Sequence, residues 1–273
     1  MAQLPDATRI GAVHLNVRDI ERALLFYCDT LGLRERRRDA TSAELGSDST
    51  FLHLHATPDA RPRAPNESGL YHVAYLLPSR ADLGRVIRHL AAARYPLQGA
   101  SDHAVSEALY LADPEGNGIE IYADRPRDAW PRAGERIQMA TDVMDVESVL
   151  AAGGEARWVG APDGMRVGHV HLNVNDVPAA EAFYRERVGF DLVTRYGARA
   201  SFLSAGGYHH HVAVNAWGTH GGPAARPATL GLRRFNVVVP REGYEDALER
   251  LGGEEAADPA GNRFRITLPE ATS

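Results

Sequence analysis

The chain has 273 residues, 44% hydrophobic and 24% charged, an ordinary globular composition with ample material for a core. Its net charge of −6, from 30 basic and 36 acidic residues, lacks the basic footprint of a nucleic-acid binder. No apolar run approaches the ~18–20 residues of a membrane span, and "MAQLPDATRI" has no signal core, so a cytoplasmic protein is expected. Every basic residue is Arg, spread evenly, which reads as codon bias.

In chain order, "AVHLNVRDIERALLFYCDTLGL" at 12–33 opens as a strand with period-2 alternation and continues as a helix of about three turns ending at Gly. The single Cys28 lies in that helix, where a small buried thiol is expected in place of a nucleophile. His53 and His55 in "FLHLHATP" read as structural or surface residues of a following strand, and "ATPDARPRAPNES" at 56–68 as a loop. Next, "GLYHVAYLLPSRADLGRVIRHL" at 69–90 is again strand, Pro and amphipathic helix, closed by the hairpin "DPEGNGIEIY" at 113–122. Residues 127–163, with "PRAG", "AAGGE" and "GAPDG", look like a connector.

Beyond it the pattern returns. "HVHLNVNDVPAAEAFYRERVGF" at 169–190 aligns without gaps to 12–33, with ten of 22 positions identical, including Asp19/Asp176, Phe26/Phe183, Tyr27/Tyr184 and Gly32/Gly189. "GLRRFNVVVPREGYEDALERL" at 231–251 and the hairpin "DPAGNRFRIT" at 258–267 repeat the second unit more weakly. The order is strand–helix–strands four times, at about 9–57, 69–126, 167–218 and 230–269. Two halves follow, 1–126 and 164–273. A single four-stranded unit cannot close on itself, so units must pair to bury their concave faces.

With its "GLYHVAYLLP", "DHAVSEALYLADPEGNGIEIYADRPRDAW" and "SAGGYHHHVAVN", the chain resembles the vicinal oxygen chelate superfamily, which groups glyoxalases, bleomycin-resistance-type binding proteins and extradiol dioxygenases. Within it the chain is similar to bacterial extradiol catechol 2,3-dioxygenases. The resemblance implies an α+β fold of four βαβββ modules paired into two half-barrels around a metal. It also implies where ligands lie: one on a module's first strand, seven residues before the position that opens the helix. The other is a carboxylate seven residues after the Asp of the hairpin.

Applied residue by residue, the first-strand slot holds Ala12 in module one, His72 in module two, His169 in module three and Arg234 in module four. The carboxylate slot holds Glu120 in module two and Arg265 in module four. The implied metal set is therefore His72, His169 and Glu120, a two-His-one-carboxylate face suited to Fe(II), with Mn(II) as the alternative. Modules two and three must then share a half-barrel, within one chain or across two, and modules one and four pair as a ligand-free half. A rival arrangement pairs modules one and two and recruits His14, whose counterpart in module three is His171.

The resemblance further implies an acid–base histidine on a last strand, three residues before a small pocket-facing residue, which is His210 before Ala213. Three consecutive histidines at a tight turn describe a solvated hairpin equally well. Tyr110, ten residues before Glu120, takes the place of a tyrosine that orients the diol. The family's next histidine normally lies nine residues before that tyrosine. Here position 101 is Ser, and His103, seven before Tyr110, is the candidate substrate contact. His220 in a Gly-rich loop reads as solvated, and Trp217 and Tyr208 are candidate pocket walls.

The implied activity is ring opening of catechol or a small substituted catechol with O2 to a 2-hydroxymuconic semialdehyde-type product, by a homo-oligomer without nucleic-acid or membrane partners. A glyoxalase-like isomerase on Ni or Zn is a second reading, but the module-three slot near Ala213 offers no second carboxylate. A metal-free binding protein for a hydrophobic drug is a third.

Overall fold

The computed structural model of the chain describes residues 3–134 and 136–270. Its elements follow the fourfold repeat, giving the expected mixed α+β architecture. Module one runs from strand Arg9–Val17 through helix Ile20–Leu24 to strands Arg34–Arg38, Ser42–Gly46 and Thr50–Ala56. Module two has strand Gly69–Leu76, helix Arg80–Ala92 and strands Leu97–Asp102, Ser106–Ala112 and Gly118–Asp124. Module three has strand Arg166–Asn173, helix Val177–Phe183 and strands Asp191–Tyr196, Ala200–Ser204 and Val212–Asn215. Module four has strand Gly231–Val238, helix Arg241–Leu251 and, among the described residues, two trailing strands, Glu255–Ala257 and Arg263–Thr267. Its helix ends so close to Asp258 that the chain has no room for a third.

Local chemistry sets the helix starts. Asp19, Ser79 and Asp176 are extended N-caps whose side chains accept from the N–H three residues on. Module four starts one residue early, with Pro240 at the cap and Arg241 as its first helical residue. The repeated Gly32 and Gly189 both sit at positive φ, 78° and 105°, which a side chain would strain. Helices one and three are not plain α-helices, as the sequence pattern suggests. Each widens into a π-helical stretch, Leu25–Thr30 and Tyr184–Val188, containing the repeated tyrosine.

By compactness the chain divides into two units, neither contiguous. The first comprises the chain through Asn16, Ala60–Tyr71 and everything from Gly168; the second comprises Val17–Asp59 and His72–Val167. In the first unit the opening strands of modules one and four pair antiparallel, from Arg9 opposite Val238 to Asn16 opposite Gly231. This is the partnership expected of the two ligand-free modules. Strand Val212–Asn215 lies parallel to Arg166–Asn173, and Ala200–Ser204 and Asp191–Tyr196 follow antiparallel. Val13, Leu15, Phe235, Phe264 and Tyr184 are buried there, with the Phe235 and Phe264 rings stacked at 5.6 Å.

In the second unit Gly118–Asp124 runs parallel to Gly69–Leu76 and antiparallel to Ser106–Ala112, over a core including Ala74, Leu76, Ala108 and Tyr122. The connector is more ordered than its Gly-rich sequence suggests. It forms helix Val146–Ala152, capped by Asp145, and the short strand Asp142–Val143 against Ser101 and Asp102. That helix docks on Arg80–Ala92 so closely that a Cβ on Gly84 would lie 2.2 Å from the Val149 carbonyl. No described helix is long and apolar enough to cross a membrane.

Candidate metal centre

Two chains of cause place the candidate residues of the second unit. The first strand of module two and its Ser79 cap fix His72, which is 6% exposed. The hairpin at Asp113 fixes Glu120. The Asp113 carboxylate accepts from the backbone of Glu115 and Asn117, from the Asn117 amide at 2.8 Å and from the Tyr27 hydroxyl at 3.0 Å. Gly116, at φ 87°, makes the turn, as "EGNG" implied. Seven residues on, Glu120 stands opposite Ala74 on one side and Tyr110 on the other. His72 Nε2 lies 3.0 Å from Glu120 Oε2, and the carboxylate is 2% exposed. A buried carboxylate beside a buried imidazole is costly unless a cation or hydrogen bonds compensate it. This donor pair fits a hard-to-borderline dication.

Tyr110 and His103 join that pair in the same unit. The Tyr110 ring centroid is 5.7 Å from that of His72, and its hydroxyl is 2.6 Å from His103 Nε2. His103 Nδ1 lies 2.8 Å from the carbonyl of Ala140 in the connector. A carbonyl only accepts, so Nδ1 carries a proton, and in the neutral ring Nε2 accepts the Tyr110 hydroxyl proton. The connector thus sets a histidine tautomer, a role its composition concealed.

The first unit holds the other candidates. His169, on the first strand of module three, is 1% exposed. Its ring centroid lies 4.0 Å from that of His210 and 5.9 Å from that of His209, and the Nδ1 atoms of His209 and His210 are 2.8 Å apart. His209, His210 and His211 are all buried, so the solvated-hairpin reading is overturned: the turn folds inward. Nor is His210 on the last strand. It lies in the turn that leads to Val212–Asn215, while Ala213 is fully buried and opposite His171. Tyr208 is buried over His209 at 4.0 Å, a contact with no signal in the sequence.

The remaining histidines separate cleanly. His171 Nε2 contacts Asn215 Nδ2 at 3.0 Å, inside a ring of Tyr71, Phe202 and Trp217. His14 is buried opposite Arg234, beside a cation and in module four's company, which the rival arrangement did not predict. His53 and His55 are partly buried on Thr50–Ala56, and His220 is exposed. Arg265, at the carboxylate slot of module four, pairs with Glu254 at 3.0 Å. Cys28 is only partly buried, short of the buried thiol expected, yet that burial pushes its thiol up to about 11, consistent with an unreactive residue.

The repeat also carries a tyrosine–aspartate pair. Tyr184 donates to Asp258 at 3.2 Å, as Tyr27 does to Asp113. Both the "FY" and the "DP" pairs recur identically in sequence, and the structure shows that each tyrosine clasps the aspartate of the following module.

Comparison with known proteins identifies the family and the fold. The profile of the Glyoxalase/Bleomycin resistance protein/Dioxygenase superfamily matches residues 9–121 and 166–251. A catechol-2,3-dioxygenase of Bacillus subtilis (strain 168) is 42% identical over 281 residues, 98% of this chain and 96% of that protein. Among solved structures, a Bacillus subtilis protein provisionally described as a dioxygenase superposes with a TM-score of 0.65 at 14% identity, covering 98% of this chain and 87% of its own. A maize (Zea mays) glyoxalase I variant gives 0.56 at 14% identity, over 95% and 93%. These last two establish likeness of fold alone.

Proposed function

The chain belongs to the glyoxalase/bleomycin resistance protein/dioxygenase superfamily and is an enzyme of the extradiol dioxygenase type; from that premise we propose that it opens the ring of catechol or a small substituted catechol with O2. The product is of the 2-hydroxymuconic semialdehyde type. The observation that carries this reading is the buried His72–Glu120 pair on module two, with His169 at the matched slot of module three. Modules one and four hold Ala12 and Arg234 at that slot. His72, His169 and Glu120 would hold Fe(II), with Mn(II) the alternative. Bound there, the metal supplies the electron transfer that direct reaction of a singlet catechol with triplet O2 lacks.

The protein's own groups do the rest. His210 takes a proton from one catechol hydroxyl and returns it as the ring opens, work suited to an imidazole near neutral pH. Tyr110, its hydroxyl proton committed to His103, presents an oxygen lone pair to the other hydroxyl. His103 acts through Tyr110. His210 is buried and Tyr110 and His103 half-buried, which limits the water that would compete for the same hydrogen bonds. A glyoxalase-like isomerase would need a second carboxylate where Ala213 stands. The proposal includes a cytoplasmic homo-oligomer and repeat halves at 1–126 and 164–273.

The test is anaerobic loading with Fe(II) followed by catechol and air-saturated buffer. Oxygen uptake matched by a yellow ring-opened product is expected. Iron-loaded protein that consumes no O2 with any catechol overturns the reading.

A further inference from the structure

The three histidines of the first unit carry more than one acid–base residue requires. We propose that His169, His209 and His210 form a second metal-binding mode, a three-imidazole site for a borderline dication, Zn(II) or Co(II). Each offers one ring nitrogen, and the three nitrogens lie within 4.8 Å of one another. Their exposures are 1%, 0% and 8%, so the cluster is buried. All three belong to one compact unit.

The geometry is close to what a metal demands. A tetrahedral ion with metal–nitrogen bonds of ~2.0–2.1 Å spaces its ligands about 3.3–3.4 Å apart. The His209–His210 contact, at 2.8 Å, must open slightly, and the longest separation, up to 4.8 Å, must close. The turn bearing them contains Gly206 and Gly207, both at positive φ, and nothing lies within 4 Å of where a Cβ on Gly207 would be. Gly206 packs on the Asp6 backbone, where a Cβ would lie 2.3 Å from the carbonyl oxygen, so rotation of the imidazole rings, with little movement of the turn, closes the site.

The donor set decides the ion. Three neutral imidazoles without a carboxylate leave the full charge of the ion uncompensated and favour Zn(II) and its neighbours over Fe(II), following the Irving–Williams order. Because His169 also belongs to the proposed iron set, the two modes exclude each other, and the chain takes one metal at a time. That exclusion rests on the function proposed above; the three-imidazole site itself does not.

The experiment uses metal-free full-length Glu120→Gln protein, in which the iron set is broken. Co(II) is titrated anaerobically, and the intense visible bands of four- or five-coordinate cobalt are read against the weak bands of six-coordinate cobalt. One equivalent with intense bands, displaced by Zn(II), is expected. X-ray absorption of the Zn(II)-loaded protein should count three imidazoles. His209→Gln on the same background should weaken binding by at least the roughly 10–100-fold that loss of even an outer-shell partner costs. No uptake, fewer than three imidazoles, or unchanged affinity in a folded His209→Gln protein overturns the proposal. Should His209→Gln not fold, the imidazole count decides alone. Three imidazoles in Glu120→Gln, beside iron-loaded wild type that never consumes O2, would sink only the dioxygenase reading; the reverse would sink only this one.

Discussion

Replacing Tyr27 by Phe isolates the clasp between modules one and two. Tyr27 is fully buried and donates to Asp113 at 3.0 Å. Burial, then the Asp113 charge, holds its phenol well above the ordinary range, so it stays a donor at any working pH. Without the hydroxyl, Asp113 keeps two backbone N–H groups and the Asn117 amide, so it is not stranded. The loss is one hydrogen bond to a charged acceptor, about 1.5–3 kcal/mol. For a chain of this size, that lowers Tm by roughly 3–12 °C. Tyr184→Phe removes the equivalent bond to Asp258, which keeps the Asn262 N–H and amide, and should lower Tm similarly. The two variants part at the metal. The Asp113 hairpin leads to Glu120 and the Asp258 hairpin to Arg265, so only Tyr27→Phe should weaken iron binding. Calorimetry and iron titration of both variants provide the test. A Tm within about 1 °C of wild type for Tyr27→Phe, or equal iron loss in both, would refute this account.

Glu120→Gln should lose most bound iron and nearly all turnover with the fold kept, measured by iron content and circular dichroism; normal iron content would remove Glu120 from the site. His169→Ala should abolish iron binding while His14→Ala keeps most of it, and the opposite result would revive the pairing of modules one and two. His210→Phe should leave iron and catechol binding largely intact but slow turnover by about 10²–10⁴-fold, the usual contribution of a general acid–base group; unchanged turnover assigns proton transfer elsewhere. Glu181 is held below its ordinary value of 4.5 by Arg195 and Ser201, so its ion pair stabilises the fold above that pH and is lost as acid titrates through the lowered value. Thermal melts should therefore show Glu181→Gln losing less stability than wild type on acidification from pH 5 to 3, and parallel curves would contradict it.

What was legible in the sequence was what is local or repeated. The caps Asp19, Ser79 and Asp176, the hairpin glycines and the first-strand slots each need only a few neighbouring residues, and the repeat displays the Asp19/Asp176 cap and the hairpin twice. The illegible features depend on distance or on packing. Tyr27 meets Asp113 86 residues away, and no local pattern announces a partner. The π-helical turns keep an apolar face, so a 3.6 period reads straight through them. Three adjacent histidines look hydrophilic by composition, yet ring contacts with Tyr208 and, edge-on, Phe202 bury them. The anchoring of His103 by Ala140 required the connector to fold, which its glycines argued against.

The pairing of Arg9–Val17 with Gly231–Val238 has a consequence for biosynthesis. A ribosome elongating at ~5–20 residues per second exposes the first strand roughly 10–45 s before its partner is made. Throughout that interval the nascent chain carries an apolar strand edge with no native neighbour on that side, an invitation to pair with another chain. Slowed elongation or a crowded polysome should therefore reduce yield more than stability measured on the finished protein would suggest. A circular permutant that begins in the loop before Gly231 would synthesise the two partners within tens of residues of each other and shorten the exposure several-fold.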